Sequence, residues 1–266
     1  MTDEELLAAG LLVERTGPVT TITLHRPEVR NAQTPAMWRA LASVGESIGD
    51  DVRVVVLRGS GHSFSAGLDR AMLDPAGADD DESVIGLLRL SDAEMAEAID
   101  AFQRGFTFLR DPRFVSIAAI QGYAVGAGFQ LALSCDLRVV AEDAQFCMKE
   151  SALGLVPDLT GTKPLVESVG YARALEICAT ARMVGADEAV SIGLALTAVP
   201  PAELDSSVAD LVGALTAPLV GAVRETKALL LGATGRDLEE QRKLEREAQV
   251  RRFREVARLM AAPGTD

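Results

Sequence analysis

What most limits the folds open to this chain is a series of short apolar runs, interleaved with stretches of helical character. Residues 53–58 (RVVVLR) end at Gly59-Ser60-Gly61, and residues 116–120 run into a glycine-bearing turn followed by a helix over 126–134. Residues 137–141 and 195–199 read as further strands. Runs of five or six apolar residues are too short for buried helices, and strands alternating with helices predict an α/β fold. Ahead of them, residues 11–16 and 19–25 alternate apolar and polar around Gly17-Pro18, the pattern of a β-hairpin. Thr34 before Pro35 predicts a helix start, and Ser91 with Glu94 forms a capping box that opens another helix. Pro200-Pro201 divides a core over 1–200 from a helical module over 201–266.

The 266 residues suffice for one large domain with a small appendage. A formal charge of -13 argues against nucleic acid or an anionic membrane surface as partner. The segment from Arg224 onward differs, holding 10 of the 26 basic residues but only 8 of the 39 acidic ones. The first ten residues lack a basic, apolar leader, and no apolar run approaches membrane-spanning length, so a soluble, cytoplasmic protein is expected. Cys135, Cys147 and Cys178 lack metal-ligand or disulfide spacing and read as small core residues; no metal is expected. His25 and His62 stand in a strand and a turn, and no G-x-S-x-G elbow occurs, which disfavours serine hydrolase chemistry. The acidic stretch 74–83 (DPAGADDDES) reads as a loop.

Two turns carry chemistry. One is F-S-A-G-L-D over 64–69; the other, Q-G-Y-A-V-G-A-G-F-Q over 121–130, leads straight into a helix. Glycine lets backbone bend sharply and approach a ligand, and a helix start offers unpaired N–H groups. Brought together, the two turns would form an oxyanion hole of main-chain donors; kept apart, their glycines serve tight turns alone. A dinucleotide site is disfavoured, because Gly126-Ala127-Gly128 lacks the third glycine and the later acidic residue.

The order R-P-x-x-x-N-A (Arg26, Pro27, Asn31, Ala32), F-S-A-G-x-D, I-Q-G-Y-A-x-G-A-G-x-x-L, C-D-L-R (Cys135 to Arg138) and A-Q-F (Ala144 to Phe146) resembles the crotonase superfamily of enoyl-CoA hydratases and isomerases. The resemblance implies a β-β-α spiral followed by a helical module, assembled as homotrimers or homohexamers. It implies an acyl-CoA substrate, carried as a coenzyme A thioester, with no permanently bound cofactor. The backbone N–H groups of Leu68 and Ala127 would be the oxyanion donors, and Ala66, Leu68 and Arg70 would lie along the coenzyme. Lys227, in V-R-E-T-K-A-L-L, reads as a surface residue.

The acids depart from the family pattern. Family hydratases use two glutamates; the first position holds Gln130, whose amide transfers no proton at neutral pH, and the second holds Glu150. Asp158 stands where many hydratases have glycine. Lys149-Glu150 with Gly154-Leu155, Asp158 and Gly161-Thr162 is similar instead to dienoyl-CoA isomerases, which pair a glutamate with an aspartate. A double-bond shift needs one shuttling base, whereas hydration needs an activated water and a proton donor together. Isomerisation of an enoyl- or dienoyl-CoA is therefore favoured, with hydration and non-catalytic acyl-CoA binding as alternatives. After Gln249 the family's usual ending is replaced by Arg251, Arg252, Phe253 and Arg254, a possible substitute contact to the coenzyme phosphates.

Overall fold

The computed structural model describes residues 1–73 and 83–261; the expected acidic loop lies outside them, Ser83 excepted. The hairpin forms as read: β1 (Leu11–Thr16) pairs antiparallel with β2 (Val19–Leu24). From β2 the sheet continues in parallel through β3 (Val54–Gly59), β4 (Val115–Ile120), β6 (Leu137–Ala141) and β9 (Thr197–Val199), six strands in the order β1-β2-β3-β4-β6-β9. A second sheet joins β5 (Tyr123–Val125), β7 (Gln145–Cys147) and β8 (Val184–Gly185).

From β4 to β7 successive strands fall alternately into the two sheets. Thus β4, β5 and helix α5 (Ala127–Ser134) make one β-β-α turn, and β6, β7 and α6 (Thr162–Val169) make the next. This is the expected spiral, followed by the helices α9 (Leu204–Thr216), α10 (Val220–Leu231) and α11 (Leu238–Ala261).

The large sheet is covered on both sides, which explains why its parallel strands read as unbroken apolar runs. Val55, Leu57, Ala118, Ile120 and Val140 face the main core with Trp38, Leu41 and Phe106. Their neighbours Val54, Val56, Ile117, Ala119, Val139 and Ala141 pack under Leu204 and Val208 of α9. Helix α2 (Pro35–Ser47) starts on Thr34, whose hydroxyl accepts from the Met37 N–H at 3.3 Å. Helix α4 (Asp92–Thr107) starts on the Ser91–Glu94 capping box. Trp38 of α2 packs against Phe102 of α4 with ring centroids 5.0 Å apart and the planes tilted by 54°.

The surface reading of Lys227 is overturned. Its ammonium is buried and donates to the Asp111 and Phe114 carbonyls and to Asp136 Oδ2, each at 2.7 Å. Asp136 also accepts from the Ser116 N–H, so α10 is bolted to the start of β4. Burial pulls the Lys227 pKa down, against the opposing pull of Asp136. Elements that went unread in the sequence include the N-terminal helix α1 (Asp3–Ala8), capped by Thr2, and the small sheet. Among the described residues no single helix is long and apolar enough to cross a membrane, although a pair bent by 102° (Pro201–Thr216 with Val220–Gly235) passes on length and composition together.

Candidate active site

The two glycine turns lie side by side because backbone pairing joins them. Ser65 bridges Ala124 in parallel register; the Ser65 N–H donates to the Tyr123 carbonyl at 2.8 Å and the Val125 N–H to the Ser65 carbonyl at 3.0 Å. A methyl added to Gly67 would meet the Val125 carbonyl at 2.4 Å and lie 3.4 Å from the Ala127 nitrogen. Only glycine, at φ 87°, permits that approach. Among the described residues neither the Leu68 nor the Ala127 N–H has an acceptor within the chain. Ala127 opens α5, so its N–H adds the positive end of that helix. Two such donors can bind an oxygen on which negative charge develops.

The motif residues around the turns brace them. Asn31, buried at φ 54°, accepts from the Arg26 N–H at 2.9 Å and donates to the Ser60 and Ser63 carbonyls at 2.9 and 2.8 Å. Arg26 pairs with Asp69 at 2.8 Å, and Gln121 donates to the Gly59 carbonyl at 2.7 Å. Buried Arg138 donates to the Leu194 and Cys135 carbonyls at 2.5 and 2.8 Å. These side chains hold backbone and do not reach the cavity that the turns border.

That cavity, about 890 Å³, receives every site residue expected from the sequence: Ala66, Leu68, Arg70, Ala127, Gln130, Glu150 and Asp158. Glu150 is 8% exposed. Its Oε1 accepts from Gln130 Nε2 at 2.7 Å, while its Oε2 is buried without a hydrogen-bond partner. Burial raises the Glu150 pKa, the charge of Asp158 adds to the rise, and hydrogen bonds, including that from Gln130, oppose it. Asp158 lines the cavity as an exposed residue, and partial desolvation of its carboxylate raises its pKa too. Much of the remaining wall is apolar, with Trp38, Met95, Ile99 and Phe102 from α2 and α4.

Two residues were not singled out as ligands in the sequence. Arg30 and Lys149 line the cavity with Arg70, and all three are exposed. The Arg30 carbonyl accepts from the Ala66 N–H at 2.8 Å, and its guanidinium lies 5.8 Å from the centre of the Tyr123 ring. Neither belongs to a glycine turn, so only the folded arrangement brings them in. The C-terminal arginines do not reach the site: Arg251 pairs with Glu225 at 2.6 Å, Arg252 bonds Glu255, and neither they nor Arg254 line the cavity.

Residues 14–260 match the family model described as enoyl-CoA hydratase/isomerase. The chain belongs to the enoyl-CoA hydratase/isomerase family. Among solved structures, a Thermobifida fusca YX protein assigned as an enoyl-CoA hydratase, in complex with acetoacetyl-CoA, is 50% identical at a TM-score of 0.92, covering 96% of this chain and 98% of that one. A crotonyl-CoA hydratase of Syntrophomonas wolfei is 31% identical over 222 residues, 82% of this chain and 80% of the relative. The peroxisomal Delta(3,5)-Delta(2,4)-dienoyl-CoA isomerase of Arabidopsis thaliana is 33% identical over 216 residues, 79% of this chain and 76% of the relative. The protein is thus an acyl-CoA enzyme of this family. The curated hydratase and isomerase stand at similar identity to it, 31% and 33%, so its reaction has to be argued from the acid/base groups.

Proposed function

We propose that this enzyme moves a carbon–carbon double bond of an enoyl- or dienoyl-CoA, with Glu150 carrying the proton. The observation that carries the reading is the buried, unpartnered Oε2 of Glu150, beside an Oε1 whose side-chain neighbour is an amide. The thioester oxygen accepts from the Leu68 and Ala127 N–H groups, which acidifies the C2 hydrogens. Glu150 takes a proton from C2; the electron pair delocalises onto the thioester oxygen as a dienolate. Return of the proton at C4, or at C6 in a dienoyl substrate, forms the shifted double bond and restores the carboxylate. A raised pKa suits a base that must both take and return a proton. Asp158 is the second acid on the same cavity, available to the far end of a dienoyl chain. Arg30, Arg70 and Lys149 supply positive charge for the coenzyme phosphates, alongside Ala66 and Leu68. The Thermobifida complexes with acetoacetyl-CoA and CoA support a coenzyme A thioester as ligand.

Hydration is the second reading, favoured by the hydratase assignment of that 50% identical protein and by two carboxylates on one cavity. A panel of 2-enoyl-, 3-enoyl- and 3,5-dienoyl-CoA substrates separates the two. Double-bond shift faster than hydration is expected, with Glu150→Gln reducing it about 10³-fold. Full activity in that variant overturns the role of Glu150; acyl-CoA binding without turnover on any substrate would favour a non-catalytic role.

We further propose assembly as a homotrimer or homohexamer through the module over 201–266. In support, α11 buries only Ala248 and leaves Phe253, Leu259 and Met260 exposed.

A further inference from the structure

We propose that Gln130 is a positioning residue: it makes Glu150 a base through one oxygen alone and ties that base to the loop carrying Asp158. The inference rests on the reading of Glu150 given above. Gln130 is 1% exposed, on α5. Its Oε1 accepts from the backbone N–H groups of Leu159 at 2.8 Å and Gly161 at 3.3 Å. Only the oxygen of an amide can accept twice, so the NH2 group has to face Glu150, where it donates to Oε1 at 2.7 Å. A proton arriving on Oε1 would be set against the amide hydrogens; a proton arriving on Oε2 meets no such conflict. Proton uptake is thereby directed to the oxygen that lacks a partner.

The same amide fixes where the second acid sits. Asp158 immediately precedes Leu159, and Gly161 approaches so closely that a methyl there would lie 2.7 Å from Gln130 Cγ. Glu150 and Asp158 therefore share one amide as their common reference point. Gln130 Oε1 is taken by two backbone N–H groups and its amide nitrogen is bonded to Glu150, so its part in the reaction is exerted through Glu150. The other titratable groups near the Glu150 carboxylate are Asp158, Lys149, and the thiols of Cys147 and Cys178.

Two variants test this. Gln130→Met keeps the length and removes the amide; Gln130→Glu keeps the shape and sets two carboxylates together. In the Met variant kcat should fall about 10- to 100-fold with KM within about threefold, since the lost bond acts on proton transfer. The acid limb of its pH–kcat/KM profile should move up by about one unit, because a bond favouring the charged form is gone. The Glu variant should move that limb up as well, as the pair shares one proton. The Glu150 carboxyl titration, read by 13C NMR, should shift the same way without any turnover. Should Gln130→Met fail to fold, Gln130→Glu carries the test by itself. An unchanged NMR titration, or an unchanged profile with kcat within twofold, overturns the proposal. If the wild type turns over no enoyl substrate, the reaction reading fails while the NMR titration still decides the role of Gln130.

Discussion

At Glu150 the proposed catalysis and the stability of the fold pull in opposite directions. Its pKa is raised by burial, so the folded state binds a proton more readily than the unfolded chain does. The favourable contribution of that proton is present below the unfolded value, near pH 4, and is lost as pH rises through the folded value. Glu150→Gln should therefore match or exceed the wild type in thermal midpoint near pH 7.5, with the gap closing toward pH 4, as scanning calorimetry would show. Burial disfavours the charge of Lys227 as well, but that charge has three hydrogen-bond partners. Lys227→Met leaves Asp136 without its cation in a buried place and should cost about 3 kcal/mol, measured as a lower denaturant midpoint with unchanged slope. Glu150 was legible in the sequence through the order of motifs around it. Lys227 was not, because its three acceptors lie 91 to 116 positions earlier in the chain and leave no local trace.

At the level of elements, what was legible had chemical punctuation. Thr34-Pro35 and Ser91-x-x-Glu94 announced helix starts, and apolar runs of five or six residues announced the large sheet. The small sheet escaped because strands of two or three residues cannot display a period. That sheet nevertheless positions the second glycine turn, since the Gly126 N–H donates to the Cys147 carbonyl at 2.8 Å. The sensitive point between the turns is Gly67. Gly67→Ala adds strain at a positive φ and a methyl against the Val125 carbonyl, pushing the turns apart. It should lower kcat at least 100-fold, by analogy with loss of one main-chain donor, while circular dichroism stays that of the wild type.

Over the whole molecule, an acidic protein must admit a polyanionic ligand. The net charge of -13 repels it at long range, and Arg30, Arg70 and Lys149 attract it only near the cavity. Arg70→Ala and Arg30→Ala should each raise KM for acyl-CoA several-fold at low salt, with the difference shrinking by 0.5 M salt, in steady-state assays. The proposed assembly is checked by sedimentation velocity: a trimer or hexamer is expected, and a monomer at micromolar concentration overturns it. Finally, the division of labour across the cavity has an evolutionary consequence. The donors proposed for the thioester oxygen are main-chain groups, which most substitutions leave in place, while the acids are side chains. Gln and Glu are one nucleotide apart in the genetic code. Under the proposed roles, a lineage built on this scaffold would exchange one reaction for another at position 130 or 158 without rebuilding the apparatus that activates its substrate.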